Sequence, residues 1–142
     1  MSEESERGDE PRPGGGFLAS MSRWPATALV AAAIITLSEI PQPAFPPVPL
    51  FPHADKVVHF MEYLVFVVFL FRSVSYELSG HSRLAVIIAV SAGTIFGVCD
   101  EWHQGFTGRT PDVWDVAADV AGLACGVALL LLVRGRRRKY AG

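Results

Sequence analysis

Between Cys99 and Asp119 the chain places Asp100, Glu101, His103, Gln104, Arg109, Asp112, Asp115 and Asp119 between two strongly apolar segments. Earlier, Asp55, His59 and Tyr63 recur at a spacing of four, with Glu62 beside them. Carboxylates set with histidines can hold a divalent metal, or can act as general acid and base, which makes His59, His103, Asp100 and Glu101 the candidate catalytic groups. Arg109, in a glycine-containing loop, suits bidentate recognition of a phosphate or carboxylate. No Ser or Cys stands beside a histidine in these motifs and no HExxH zinc signature is present, so neither a nucleophile nor a metal ligand set is assigned.

The elements that must position these residues are membrane helices. Of 142 residues, 51% are hydrophobic and 18% charged, whereas soluble domains carry about 25% charged residues. The formal net charge of -2 says little about partners, because the two signs are segregated along the chain. Residues 1–22 are expected to form a disordered acidic tail, since Glu3, Glu4, Glu6, Asp9, Glu10 and the run Gly14-Gly15-Gly16 give it little to bury.

Four apolar segments follow. The first, Trp24 to Ile40, reaches about 25 Å as a helix and falls slightly short of a hydrocarbon core of about 30 Å. Ser38-Glu39-Ile40-Pro41 is not a small-residue cleavage site, so this segment reads as a retained first helix. Six prolines in the twelve residues from Pro41 to Pro52 then require an extended loop. The second helix is expected from Asp55 to Arg72, the third from Arg83 to Val98, and the fourth from Trp114 to Val133. The fold expected is all-α: a polytopic four-transmembrane-helix bundle over residues 23–134, in the cell membrane, with a basic cytoplasmic tail at 135–142.

Basic residues near helix ends are retained on the cytoplasmic side. With both termini cytoplasmic, that side collects Arg7, Arg12, Arg23, Arg72, Arg83, Arg134, Arg136, Arg137, Arg138 and Lys139, leaving Lys56 and Arg109 outside. Asp55, His59, Asp100, Glu101, His103, Arg109, Asp112, Asp115 and Asp119 are thereby expected at the outer end.

Helical spacing aligns Asp55, His59 and Tyr63 on one face of the second helix, and Asp112, Asp115 and Asp119 on one face of the fourth. Asp119 lies about 6 Å deeper than Asp115. An acid within a span costs about 2.5–3.5 kcal/mol at the centre and is kept where it faces the bundle interior or a wet cavity. Asp119 and Glu62 therefore need partners, for which His59, His103 and Arg109 are the available bases. Simpler roles stand beside these: Asp112 can cap the fourth helix, since Pro111 is a good first-turn residue, and Asp115 can favour the helix N-terminus through the macrodipole. Gly93 and Gly97, and Ala118, Gly122 and Gly126, have the small-residue spacing of close helix contacts, which places the third and fourth helices side by side. Cys99 and Cys125 differ in depth by about 10–15 Å, which disfavours a disulfide; both read as packing residues.

The run from Asp55 through His59 to Tyr63, followed by Asp100-Glu101-Trp102-His103-Gln104, Gly108-Arg109, Asp115, Ala118-Asp119 and Gly122, resembles the VanZ-like family of small multi-pass bacterial membrane proteins. The resemblance spans about residues 50–133 and implies a link to glycopeptide resistance, for which the family is named. The proline that many members carry before the Gly-Arg pair is missing here, and the segment Phe106 to Arg109 is one residue shorter, which leaves the reach of Arg109 open. Three functions follow. The outer polar residues Asp55, His59, Tyr63, Asp100, Glu101, His103, Gln104, Arg109, Asp115 and Asp119 can bind a cell-envelope component or an amphipathic antibiotic. They can instead act as an enzyme on a lipid-linked phosphate or glycan, with a divalent metal as possible cofactor, or serve only as a structural polar network. The expected partners are the lipid bilayer and a lipid-linked cell-wall precursor or lipophilic ligand, with no nucleic acid.

Overall fold

A computed structural model describes residues 23–40, 53–78 and 81–140. Among these there are four α-helices and no strand: α1 (Trp24–Ser38), α2 (Ala54–Glu77), α3 (Ser82–Gln104) and α4 (Val113–Tyr140). The acidic tail and the loop from Pro41 to Pro52 expected from the sequence lie outside the described residues. Three helices, α2, α3 and the Val113–Arg136 part of α4, are long and apolar enough to cross a membrane. α1 has 15 residues, about 22 Å of rise, and is the one shorter than a span.

Two helix ends differ from expectation in a way that matters. α3 does not stop at Val98 but runs on to Gln104, because Cys99 to Gln104 contains no breaker before Gly105. α4 does not stop at Val133 but continues to Tyr140, since Arg and Lys are good helix formers and one glycine, Gly135, is tolerated. The polar loop shrinks accordingly to residues 105–112. There Gly108 takes φ 81°, a conformation that suits glycine. α2 likewise extends to Glu77, and its buried Ser73 hydroxyl lies 2.9 Å from that of Thr27 in α1.

α2 is the central helix, packed on all three others and most extensively on α4, while α1 lies against α2 and α3. The buried apolar residues include Tyr63, Phe66, Val67, Leu70 and Phe71 of α2, with Leu123 and Val127 of α4. Outward-facing Leu29, Ile87, Ile95 and Leu132 are 61–72% exposed, an apolar exterior that suits lipid rather than water. Cys99 and Cys125 are free thiols on that exterior, so neither packs inside the bundle as expected.

The glycines divide between two contacts. Gly93 and Gly97 of α3 face Leu123 and Asp119 of α4, as the spacing predicts, but Gly122 and Gly126 face α2. A Cβ on Gly122 would lie 2.3 Å from the Phe60 carbonyl oxygen and 3.0 Å from the Leu64 nitrogen. Backbone cannot move aside as a side-chain tip can. Gly122→Ala is therefore expected to lower stability by about 1–3 kcal/mol, read as a thermal midpoint in detergent. Gly135→Ala, with nothing among the described residues within 4 Å of the added carbon, is expected not to lower it, and to gain up to about 1 kcal/mol of helix propensity.

Candidate functional site

The bundle has two chemically distinct ends. At one, Arg23 stacks on Tyr76 with its guanidinium carbon 3.7 Å from the ring centroid, Arg134 stacks on Phe71, and the Trp24 indole N–H donates to Glu77. At the other meet the C-termini of α1 and α3 and the N-termini of α2 and α4, and with them most of the acids.

The acid-rich end is built from α2 upward. Lys56, on its first turn, reaches three carboxylates: Asp55 Oδ2 at 3.1 Å, Asp112 Oδ2 at 2.7 Å and Asp115 Oδ1 at 2.8 Å. His59 is nearly one turn deeper, on the same face. Its Nδ1 lies 3.1 Å from Asp119 Oδ1 and its Nε2 3.9 Å from Asp115 Oδ2. Asp119, 1% exposed, fits because α3 has Gly97 at that level: a Cβ there would stand 2.9 Å from Asp119 Oδ2 and 3.2 Å from the Tyr63 ring. Tyr63 is fully buried one turn below His59, and its hydroxyl has no hydrogen-bond partner among the described residues.

Consecutive residues of a helix point about 100° apart, and Asp100 and Glu101 use that angle to serve two neighbours. Asp100 turns toward α1, where Oδ2 accepts from the Ser38 hydroxyl at 2.7 Å and from Gln104 Nε2 at 3.2 Å. Glu101 turns toward α4, where Oε1 accepts from the Asp112 backbone N–H. The second oxygens of both, Asp100 Oδ1 and Glu101 Oε2, are buried and have no partner among the described residues. Each such atom costs about 1–3 kcal/mol if nothing meets it.

The residues expected at the site are thus brought together unevenly. His59, Tyr63, Asp100, Glu101, Gln104, Asp115 and Asp119 are buried and converge. Asp55 sits at the exposed rim. His103 points away, to Glu39 at 3.3 Å, with 44% of its side chain exposed. Arg109 is fixed through its backbone N–H, which donates to the Gln104 carbonyl, and its side chain has no hydrogen bond or ion pair among the described residues. Asp112 does cap α4, its Oδ1 accepting the Trp114 N–H at 2.9 Å, while its other oxygen takes Lys56. Sequence reasoning missed two members, Lys56 and Ser38. Lys56 was legible as the residue three before His59 on the same face; Ser38 carries no such signal.

Chemically, six carboxylates (Asp55, Glu62, Glu101, Asp112, Asp115 and Asp119) face Lys56 and His59. Acceptors are in excess, so the site favours cations and hydrogen-bond donors over anions. His59, Glu101 and Asp115, all buried, offer donor atoms within 4.8 Å of one another and are the group among the described residues able to hold a metal.

Lys56 holds the Asp112 carboxyl below the usual carboxylate range, helped by the Trp114 N–H. A carboxyl lowered by folding adds stability that is complete above about pH 4–5 and is lost as the pH falls through its folded pKa. In Lys56→Met the Asp112 titration, followed by carboxyl ¹³C NMR, is expected to move up toward the ordinary aspartate range, with the Trp114 N–H still holding it below. The same change strips buried Asp115 of its cation and is expected to cost about 3 kcal/mol in detergent unfolding.

A sequence model of the VanZ/LLP1 family matches residues 17–134. No curated protein and no solved structure matches the chain. The matched stretch contains α1 to α3, α4 as far as Arg134, and every side chain of the acid-rich end. With more than half of its length matched, this membrane chain belongs to the VanZ/LLP1 family.

Proposed function

We propose that this protein is a membrane receptor of the glycopeptide-resistance type, whose acid-rich end faces outward and binds a cell-envelope component or an amphipathic antibiotic. One observation carries the reading: buried oxygens of Asp100, Glu101 and Tyr63 have no hydrogen-bond partner among the described residues, at an end where all four helices bring polar groups together. A network that only joined helices would satisfy its own members, because each orphan is costly. The excess of acceptors favours a ligand presenting ammonium, amide or hydroxyl donors. Exposed Trp102, Phe106 and Trp114 at the same end suit the membrane interface, where an amphipathic ligand would lie.

The outward orientation draws support from basic residues: Arg23, Arg72, Arg83, Arg134 and Arg136 lie toward the opposite end. In a background carrying Cys99→Ser and Cys125→Ser, a cysteine introduced at Thr110 is expected to react with a membrane-impermeant maleimide on intact cells. One introduced at Arg136 is expected to react only after lysis. The reverse pattern contradicts the orientation.

With no metal ion bound, the carboxylates of this end would repel the phosphate of a lipid-linked substrate, so the enzyme reading requires a bound cation. The receptor reading is tested by expressing Asp100→Asn and Asp119→Asn in a glycopeptide-susceptible host and reading the inhibitory concentration of teicoplanin. Wild-type protein is expected to raise it and both variants to lose most of that gain, with at least one keeping the wild-type melting temperature. Loss strictly in step with stability would return the residues to a purely structural role.

A further inference from the structure

Three side chains at the acid-rich end share one feature: each has one heteroatom tied to a neighbour and a second one left over. His59 Nδ1 is held by Asp119 Oδ1 at 3.1 Å, leaving Nε2. Asp115 Oδ1 is held by Lys56 Nζ at 2.8 Å, leaving Oδ2. Glu101 Oε1 is held by the Asp112 N–H, leaving Oε2, which is buried and without a partner among the described residues. The donor atoms of these three residues approach within 4.8 Å of one another. They come from α2, α3 and α4, so their convergence is a product of the tertiary fold.

We infer that His59, Glu101 and Asp115 form a binding site for one divalent first-row transition ion. The distance between His59 Nε2 and Asp115 Oδ2, 3.9 Å, is too long for a hydrogen bond. It is short enough for one ion to bridge at about 2.0–2.2 Å from each donor. Two carboxylates and a neutral imidazole carry the charge that a divalent cation cancels, in a place where acids outnumber cations. The mixed nitrogen and oxygen donor set suits zinc, manganese or iron better than magnesium or calcium, which prefer oxygen alone.

The groups around the three fit a ligand set. Asp119, accepting from His59 Nδ1–H, fixes the tautomer that presents the Nε2 lone pair, the arrangement that carboxylates give metal-binding histidines. Lys56 and the Asp112 N–H orient the two carboxylates in the same way. Three protein ligands also leave coordination positions open, as in sites where the ion meets a substrate or water. The inference concerns the same end of the bundle as the receptor reading but does not rest on it, because the ion is measured directly.

The test uses the full chain in detergent, stripped with a chelator and dialysed against Zn²⁺, with bound metal quantified by mass spectrometry. About one zinc per chain is expected. Glu101→Gln is expected to weaken binding at least 10-fold, and His81→Ala, a histidine beyond the far end of α2, to leave it unchanged. X-ray absorption of the zinc-loaded wild type is expected to show one imidazole with oxygen neighbours, which needs no variant to fold. No bound zinc, binding indifferent to Glu101→Gln, or a sulfur shell from Cys99 or Cys125 would overturn the assignment.

Discussion

The buried contact between His59 and Asp119 sets the terms for the rest of the bundle. An ionisable pair held among apolar helices must be desolvated, and is kept only where the surroundings supply close and well-aimed partners. That demand explains the small residues. Gly122 lets α4 approach the backbone of α2 closely enough for the pair to meet at 3.1 Å, and Gly97 leaves the space that the Asp119 carboxylate occupies. Nearer the helix end, Lys56 extends the same contact to Asp112 and Asp115, so the α2–α4 interface is apolar in the middle and ionic at one end.

The third and first helices complete the arrangement by a simple device. Asp100 and Glu101, adjacent in sequence, point to different neighbours and join the α1 contact to the α2–α4 contact. Both retain an oxygen unsatisfied among the described residues. An acid-rich end with acceptors in excess, at the edge of an apolar bundle, is chemically poised for a donor-bearing or cationic occupant rather than an anionic one.

Much of this was legible in the sequence, for physical reasons. The four helices follow from apolar runs, and the shared face of Asp55, His59 and Tyr63 from spacing alone; the need of Asp119 for a base follows from its depth in a span. Cys99 to Gln104 was harder to place, because polarity suggested a loop while the absence of Gly or Pro allowed α3 to continue. His103 belongs to the same motif as Glu101, yet helical rotation turns it outward to Glu39. The partnership of Ser38 with Asp100 depends on how α1 docks, and no local pattern encodes that. The glycines of α4 signalled a close contact without saying which helix would fill it.

The central claim is that the acid-rich end takes up a molecule or ion from outside the chain, beyond holding helices together. Native mass spectrometry of the protein released from membranes in lipid nanodiscs tests it most directly. The account predicts a discrete mass retained on the wild-type chain and lost from Glu101→Gln, whose amide no longer offers the buried, charged oxygen. A bare chain mass for the wild type, or the same broad distribution of lipid adducts on both proteins, would contradict it.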